Sequence, residues 1–347
     1  MKAVIFNHHG GPDVLQYADA PEPKPRADEV LVRVRACALN HLDLWIRKGI
    51  PGIQIPMPHG VGHINGSDIS GEIAATGELV THLHAGDKVV LAPGVSCGHC
   101  HACLAGNDNL CREYTLLGYL RNGGYAEYVA APARNAFPFP GDLSFEEAAA
   151  VPLVFLTAWH MLVVRAQIQP SDEILILGGG SGVGSAAIQI AKVFNARVIA
   201  TVGSEEKIAR TKSLGADRVV LHSKPNWASE VRNLTHRRRG VDIVVEHVGT
   251  ATWDQSLACL ATNGRLVTCG ATTGYDARID LRFLFSRHQS IYGSYMGGKA
   301  ELFPVLDLVA RKIVHPVIDK IFPLAEARAA HERLEHREQF GKIVLKI

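Results

Sequence analysis

Two different patterns of apolar and polar residues divide the chain near residue 144. Before that point, short apolar runs end in turns that contain glycine or proline, as in residues 29–39 (EVLVRVRACAL), 87–93 (DKVVLAP) and 126–132 (AEYVAAP). Short β-branched and apolar runs between such turns indicate β-strands. This part of the chain is therefore predicted to form a small, barrel-like β domain.

After residue 144 the pattern becomes an alternation of strands and helices. Ser144 and Glu147 have the spacing of a capping box, which predicts a helix start. Apolar strands are then predicted at residues 173–177, 197–202, 218–221, 242–248 and 264–270, with helices between them, including 182–194 and 227–235. Such repeated βα units are typical of a parallel sheet covered by helices on both faces. Two C-terminal helices and the strand KIVLKI complete a predicted α/β fold.

Composition excludes several classes of protein. The 347 residues carry a formal net charge of +2, which fits a two-domain enzyme and not a nucleic-acid-binding protein. No run approaches the roughly 20 apolar residues of a membrane helix, and the N-terminal MKAVIFNHHGG is unlike a secretory signal. The seven cysteines include one tight cluster of four, which indicates a metal site in a reducing compartment. We therefore expect a cytoplasmic protein that acts on a small molecule.

The cysteine cluster has the spacing of a zinc site. It consists of Cys97, Cys100, Cys103 and, after seven further residues, Cys111. Four thiolates complete the tetrahedral shell that zinc prefers and leave no open position for substrate or water. The sequence therefore predicts one structural zinc ion that orders a surface lobe of about residues 94–113. Four free thiols or an iron–sulfur cluster are the alternatives.

A glycine-rich turn lies between a predicted strand and a predicted helix. It comprises Gly178, Gly179, Gly180, Ser181, Gly182, Val183 and Gly184. Glycines allow positive φ and close approach of a pyrophosphate, and the helix N-terminus supplies N–H donors. The spacing departs from the strict G-x-G-x-x-G pattern, but its place between strand and helix predicts a dinucleotide-binding turn.

The end of the next strand bears on the choice of cofactor. NAD-binding proteins usually place an acidic residue there, which holds the ribose 2′-hydroxyl and repels a 2′-phosphate. Here the strand runs into Gly203 and Ser204, and Lys207 follows one helical turn later. A hydroxyl and an ammonium suit a phosphate, although Glu205 and Glu206 lie between them. We expect NADP(H) in preference to NAD(H).

The assembled motifs resemble the medium-chain dehydrogenase/reductase superfamily, and most closely its quinone oxidoreductase and zinc-type alcohol dehydrogenase-like branch. Besides the cysteine cluster and the glycine-rich turn, the resemblance rests on MKAVIF with the following Gly-x-Pro-x-x-Leu, Leu39 to Asp43, Gly66 to Gly77, and Gly341 to Leu345. It implies a GroES-like catalytic domain (1–153 with the returning segment 294–347), a Rossmann cofactor domain (154–293) with a doubly wound parallel sheet, and an active site between them. It also implies a homodimer or homotetramer.

The family's catalytic zinc ligands are missing from this sequence. Zinc alcohol dehydrogenases use a Cys, a His in a Gly-His-Glu motif and a second Cys. Aligned by neighbouring motifs, this chain has Asn40, Ser67 and an apolar residue near Leu153 at those positions. A catalytic zinc needs three protein ligands and an open position. We therefore expect hydride transfer without a catalytic metal, as the resemblance to quinone oxidoreductases implies. One alternative is a non-standard metal site made by His41, His59, His63 and Asp68. The other is that His59 and His63 are loop residues and that His41 is a packed or hydrogen-bonding histidine.

By resemblance, we expect Asn40 near the nicotinamide and the reacting oxygen, and Thr157 against the nicotinamide ribose or ring. The alternative for both is a structural role, in which the polar side chain closes a turn or caps a helix. His41, Asp43 and Trp45 belong to the same motif, where Trp45 is expected to line the substrate pocket and His41, His63 or solvent to supply a proton. Gly249, Gly270 and Ala271 follow predicted strands, at the edge where open parallel sheets bind ligands. His247 is expected either beside the nicotinamide or as a packed strand-end residue.

These residues predict an NADPH-dependent reductase of α,β-unsaturated carbonyls, enoyl thioesters or quinones. Without a Lewis acid, hydride addition to an already activated acceptor is favoured over reduction of a simple ketone. One alternative is an alcohol dehydrogenase with a displaced catalytic zinc. The other is a nucleotide-binding or structural protein without turnover, because a fold alone does not establish activity.

Overall fold

The computed structural model describes residues 1–58, 61–139 and 142–347. Its internal contacts form two compact units. The β-rich unit comprises Met1–Leu153 and Gly298–Ile347, and the parallel-sheet unit comprises Val154–Gly297. The roles assigned above to the predicted domain segments stay predictions.

The elements follow the predicted patterns closely. The strands are β1 (Lys2–Phe6), β2 (Gln16–Asp19), β3 (Glu29–Ala38), β4 (His63–Ile64), β5 (Asp68–Thr76), β6 (Lys88–Leu91), β7 (Gly94–Val95), β8 (Thr115–Leu116), β9 (Tyr128–Pro132), β10 (Ala136–Pro138), β11 (Glu173–Ile176), β12 (Arg197–Val202), β13 (Arg218–Leu221), β14 (Val241–Glu246), β15 (Leu260–Thr268), β16 (Ser290–Gly293), β17 (Ile318–Pro323) and β18 (Lys342–Lys346). The helices are α1 (His41–Lys48), α2 (His101–Leu104), α3 (Phe145–Ala149), α4 (Pro152–Trp159), α5 (Gly182–Val193), α6 (Glu206–Ser213), α7 (Trp227–Leu234), α8 (Trp253–Cys259), α9 (Leu281–Ser286), α10 (Leu302–Ala310) and α11 (Ala327–Glu335).

The predicted capping box is confirmed at the start of α3. The Ser144 hydroxyl accepts a hydrogen bond from the Glu147 amide at 3.2 Å, and the Ser144 amide donates to the Glu147 carboxylate at 2.9 Å. The next helix is less regular, because α4 continues as a π-helical turn over His160–Arg165. None of the helices in the described part of the chain has both the length and the apolar character of a membrane span.

The C-terminal strand β18 belongs to the seven-stranded sheet of the β-rich unit. That sheet has the order β10-β6-β5-β3-β18-β17, and β9 also pairs with β3. Strand β18 is antiparallel to β3, so that Val344 lies opposite Ala38. Inward-facing apolar residues of both strands enter the core because alternate positions of a strand share a face. This pairing brings Lys342, near the end of the chain, to the end of β3 where Asn40 begins α1.

The parallel-sheet unit has the strand order of a dinucleotide-binding fold. Its six parallel strands are arranged β13-β12-β11-β14-β15-β16, which in chain order is 3-2-1-4-5-6. The strands at its centre are buried, as their continuous apolar sequences predicted. The order reverses between β11 and β14, and ligands of such sheets bind at this point, outside the carboxyl ends of the strands. The predicted GroES-like and Rossmann-type α/β architecture is confirmed.

Candidate functional site

Asn40 lies at the junction of β3 and α1, and its side chain is held by three polar neighbours. Its Oδ1 accepts a hydrogen bond from Lys342 Nζ at 2.6 Å, and its Nδ2 donates to Asp68 Oδ2 at 3.0 Å. A second, longer donation reaches the Ala38 carbonyl at 3.4 Å. The amide is buried and cannot rotate without losing these bonds. Its orientation is therefore fixed by the protein.

Asp68 and Lys342 form a buried ion pair beside this amide. Lys342 Nζ lies 2.7 Å from Asp68 Oδ2, and both side chains are almost fully buried. The other carboxylate oxygen, Oδ1, accepts a hydrogen bond from the Leu153 amide at 2.7 Å. A buried charge pair is tolerated only when its remaining hydrogen-bonding groups are satisfied. The carboxylate here has its charge balanced by an ammonium of the same chain.

Ser67 and Leu153, at the other two positions where the family has zinc ligands, also make hydrogen bonds within the protein. The Ser67 hydroxyl donates to the Leu117 carbonyl at 2.6 Å and is fully buried. Leu153 offers only its backbone amide to this cluster. Among the described residues, side chains that could share a metal ion come together only around the cysteine lobe.

Asp43 organises the start of α1 from the opposite side. Its two carboxylate oxygens accept hydrogen bonds from the backbone N–H of Asn40 at 2.7 Å and from the backbone N–H of Gly66 at 3.1 Å. Burial raises the pKa of Asp43 to about 6, against the effect of these N–H groups and of Lys342. The sequence motif placed Asn40 and Asp43 in one loop, and the structure joins both to the segment that begins at Gly66.

The histidines of the alternative metal site have other contacts. The ring nitrogens of His63 lie 3.1 Å from the Pro56 carbonyl and 3.1 Å from the Gly118 carbonyl. Burial lowers the pKa of His63. His41 is half-buried at the first turn of α1, and Trp45 on the same helix is 37% exposed. His59 lies outside the described residues, so the proposed four-ligand set is not assembled by the part described.

The cysteine cluster is assembled as its spacing predicted. The sulfur atoms of Cys97, Cys100, Cys103 and Cys111 all lie within 4.8 Å of one another. Burial opposes ionisation of Cys103, but hydrogen bonds from the Ser96 side chain, the Gly98 backbone and neighbouring thiols lower its pKa to about 6. Four converging thiols of this kind suit a tetrahedral zinc ion. Cys37 differs, because burial raises the pKa of its thiol well above the ordinary value.

The glycine-rich turn follows β11 and opens α5. Gly178 adopts φ +57°, and the Ser181 hydroxyl caps the helix by accepting from the Gly184 amide at 2.9 Å. A Cβ atom at Gly184 would lie 2.2 Å from the Gly178 carbonyl oxygen. The turn therefore requires glycine at this position to bring the first turn of α5 against the strand end. The N-terminus of α5 suits a pyrophosphate.

The loops after β14 and β15 meet the same edge of the sheet. Gly249 adopts φ +95°, and a Cβ there would lie 3.0 Å from Ala271 Cα. His247 Nε2 lies 2.7 Å from the Leu177 carbonyl and 3.5 Å from the Ser181 hydroxyl. His247 therefore supports the glycine-rich turn, as a packed strand-end residue does. Gly270 lies next to it, since its Cβ would be 3.1 Å from the His247 carbonyl.

Two further predicted cofactor residues follow β12, and a third lies on α4. The Ser204 hydroxyl donates to the Glu206 carboxylate at 3.1 Å on the surface, and Lys207 is on α6. Thr157 is buried, and its hydroxyl donates to the Met296 sulfur at 3.9 Å. Contacts to sulfur are weak, so this hydroxyl has a partner that a ligand oxygen can replace.

Sequence reasoning missed Lys342 as a site residue, although the motif that begins at Gly341 drew attention to it. The available signal was a lysine at an inward position of the apolar strand β18. It also missed a buried chain that leads away from Asp43. Tyr125 hydrogen-bonds the Asp43 side chain and His331 Nε2, and Arg47 Nη1 donates to His331 Nδ1 at 3.1 Å. No local pattern relates these residues.

Comparison with known proteins identifies the family. Residues 26–141 match the alcohol dehydrogenase GroES-like domain family, and residues 182–311 match the zinc-binding dehydrogenase family. A zinc-type alcohol dehydrogenase-like protein of Schizosaccharomyces pombe is 32% identical, with 100% of this chain and 99% of that protein covered. A quinone oxidoreductase of Pseudomonas aeruginosa is 32% identical, with 99% of each covered. A crystal structure of an NAD-dependent alcohol dehydrogenase is 48% identical, with a TM-score of 0.96 and complete coverage of both chains. The chain therefore belongs to the medium-chain dehydrogenase/reductase superfamily and is an NAD(P)-dependent oxidoreductase.

Proposed function

We propose that this protein is an NADPH-dependent reductase of α,β-unsaturated carbonyls, enoyl thioesters or quinones that uses no catalytic metal. The observation that carries the proposal is the contact of Lys342 Nζ with both Asn40 Oδ1 and Asp68 Oδ2. The amide and carboxylate at this position are satisfied by an ammonium. Ser67 and Leu153 complete a set of side chains poor in metal ligands.

The residues at the sheet edge fit the nicotinamide cofactor of this family. The close approach at Gly184 holds the first turn of α5 against the strand end, and the helix N-terminus there is proposed to bind the pyrophosphate through its N–H groups. Ser204 and Lys207 are proposed to bind a 2′-phosphate. Gly249, Gly270 and Ala271 are proposed to line the part of the site that binds the nicotinamide. When bound, the reduced cofactor supplies the hydride. Thr157 is proposed to orient its ribose or ring by exchanging the weak bond to Met296 for one to an oxygen.

The protein's own part in the reaction is orientation and proton supply. Asn40, fixed by Lys342 and Asp68, is proposed to hold a carbonyl or quinone oxygen with the Nδ2 hydrogen that otherwise makes the long 3.4 Å contact with the Ala38 carbonyl. An activated acceptor needs no stronger polarisation, since conjugation already makes the accepting carbon electron-poor. His41, half-buried beside Asn40, or solvent supplies the proton to the reduced substrate. Trp45 is proposed to line the substrate side of this region.

The cysteine lobe is proposed to hold one structural zinc ion. Cys97, Cys100, Cys103 and Cys111 supply four thiolates, so the ion has no open position for substrate. Its contribution is to order a segment that contains few buried apolar side chains.

Metal analysis combined with a substrate screen tests the proposal. We expect one zinc per chain, and NADPH oxidation with enones, enoyl thioesters or quinones that persists in the presence of a chelator. The variant Cys100→Ser, which lacks one of the four clustered thiols, should lose the zinc. A second tightly bound divalent ion, or loss of turnover on chelation while the lobe stays loaded, would contradict a metal-free reaction.

Alcohol–aldehyde interconversion is the second candidate, favoured by the 48% identity to a protein described as an NAD-dependent alcohol dehydrogenase. It requires a non-standard metal site that includes His59, which lies outside the described residues. The same screen separates the two candidates. Faster turnover of alcohols with NAD⁺ than of enones with NADPH, together with two metals per chain, would establish the alcohol dehydrogenase.

We also propose that the protein is a homodimer or homotetramer whose subunits associate through β16. This strand pairs only with β15 within the described residues, so one backbone edge is open. Leu281 and Phe285 of the neighbouring α9 are 66% and 70% exposed. An open edge beside exposed apolar side chains favours association with a second copy. Native mass spectrometry should show dimers or tetramers that Phe285→Asp shifts towards monomers, and an unchanged mass would contradict this interface.

A further inference from the structure

The chain passes from the parallel-sheet unit into the β-rich unit through a short segment, Met296, Gly297, Gly298 and Lys299, here called the crossover segment. The parallel-sheet unit ends at Gly297, and the β-rich unit resumes at Gly298. A Cβ at Gly297 would lie 2.9 Å from Leu156 Cδ1, and one at Gly298 would lie 2.7 Å from the Gly106 carbonyl. Each end of the crossover segment is thus closely packed within its own unit.

Lys299 ties the crossover segment to the cysteine lobe. Its amide donates to Asp108 Oδ1 at 2.8 Å, and its ammonium donates to the Ser96 hydroxyl at 3.1 Å and forms an ion pair with Asp108 Oδ2. Asp108 lies between Cys103 and Cys111, and Ser96 directly precedes Cys97. The ion pair is largely buried, with the lysine and aspartate side chains 15% and 9% exposed.

Ser96 and Asp108 connect this contact to the cysteines through short stretches of backbone. Ser96 directly precedes Cys97, and Asp108 lies between Cys103 and Cys111. The Ser96 hydroxyl also donates to Asp108 Oδ2 at 3.3 Å, so Lys299 is bound by two residues of the lobe that are hydrogen-bonded to each other.

The other end of the crossover segment contacts a proposed cofactor residue. Met296 is buried with φ +54°, a conformation that a residue with a side chain adopts only when its surroundings enforce it. Its sulfur accepts a hydrogen bond from the hydroxyl of Thr157 on α4. Two residues of chain separate Met296 from Lys299.

We propose that Lys299 is a positioning residue through which occupancy of the cysteine lobe sets the affinity for the nicotinamide cofactor. A loaded lobe holds Ser96 and Asp108, these hold Lys299, and the crossover segment then holds Met296 against Thr157. An empty lobe loses its internal order and releases this restraint. The proposal rests on the proposed cofactor contact of Thr157, and it is independent of which substrate is reduced.

The test compares Lys299→Met with Lys312→Met in the metal-loaded protein. Lys312 forms an exposed ion pair with Asp142 and serves as the matched control. We expect Lys299→Met to weaken NADPH binding at least about fivefold and to speed amide hydrogen exchange in residues 294–301. Its metal content should stay at one ion per chain. Asp108→Asn should behave in the same direction. Equal NADPH affinity and equal exchange in Lys299→Met and the control would overturn the proposal.

Metal removal provides the reciprocal measurement. In the wild-type protein, stripping the lobe should weaken NADPH binding by a factor similar to that of Lys299→Met, and stripping it from the variant should add little. Two independent, multiplying losses would show that Lys299 does not carry the effect and would overturn the proposal. NADPH binding and hydrogen exchange are measured without substrate, so a wrong substrate class leaves both results interpretable.

Discussion

Lys342 and Asp68 form an ion pair in which Nζ lies 2.7 Å from Oδ2, with side-chain exposures of 4% and 0%. The same Nζ bonds Asn40 Oδ1, so one ammonium fixes two groups of the candidate site. The low polarity around buried charges makes such a pair strong only when it is complete. The pair is therefore both a structural element and the source of the Asn40 orientation.

Removing the ammonium alone should be costly. In Lys342→Met the Asp68 carboxylate stays buried without its counter-charge, and we expect the free energy of unfolding to fall by about 3–5 kcal/mol. Chemical denaturation measures this change. The double variant Lys342→Met/Asp68→Asn has no unpaired charge and should recover much of the loss. A double variant less stable than Lys342→Met would show that the pair is not what the single substitution disrupts.

Even where such a variant folds, its activity should fall. Asn40 loses the donor to its Oδ1, and its amide becomes free to turn. We expect kcat to fall by about tenfold or more, with the affinity for NADPH changed much less. Steady-state kinetics with the best enone or quinone give the two parameters. Full activity in a folded Lys342→Met protein would remove Asn40 orientation from the mechanism.

Gly184→Ala tests the dinucleotide-binding turn. The added Cβ would lie 2.2 Å from the Gly178 carbonyl oxygen, so either the strand end or the first turn of α5 must move. We expect NADPH binding to weaken more than about tenfold, because the N–H donors at the helix start shift away from the pyrophosphate. Fluorescence titration measures the Kd. Gly293→Ala, where a Cβ has no atom within 4 Å, is the control and should bind as the wild type does.

Much of this architecture was readable from the sequence because its causes are local. The cysteine spacing, the glycine-rich turn and the Ser144 capping box each involve residues a few positions apart. The contact between Lys342 and Asn40 spans 302 positions and depends on the pairing of β18 with β3. Likewise, nothing near Lys299 in the sequence indicates that Asp108 lies beside it. Long-range polar partners of this kind follow from the fold, and no local pattern predicts them.

The cofactor preference can be tested at the end of β12. Lys207→Met removes the ammonium proposed to bind the 2′-phosphate, and we expect the Kd for NADPH to rise about tenfold. The Kd for NADH should stay nearly constant because that cofactor has no 2′-phosphate. Lys212→Met, at an exposed position of the same helix, controls for general charge. Equal losses for NADPH and NADH, or tighter NADH binding by the wild type, would assign NAD to this protein.

The donors in the buried series of hydrogen bonds that ends at Asp43 determine which atom of each residue carries the hydrogen. Arg47 has no acceptor, so its contact with His331 Nδ1 places the ring hydrogen on Nε2, which donates to the Tyr125 oxygen. The Tyr125 hydroxyl then donates to Asp43. Arg47 is fully buried and pairs with Glu335 of α11 at 2.5 Å. The chain therefore connects the C-terminal helix to the start of α1 and requires a neutral His331.

This requirement predicts a specific pH dependence of stability. Burial, with the nearby Arg47 guanidinium, lowers the pKa of His331 to about 3. Below pH 6.5 the unfolded chain takes up a proton that the folded protein does not, so stability is lost as the pH falls. Relative to His331→Gln, the wild-type free energy of unfolding should decrease by about 1.4 kcal/mol per unit between pH 6 and pH 4. The raised pKa of Asp43 acts in the opposite direction, stabilising the fold at low pH, but it is common to both proteins. Urea denaturation at each pH measures the difference, and parallel curves for the two proteins would mean that His331 is protonated in the fold and that the chain runs differently.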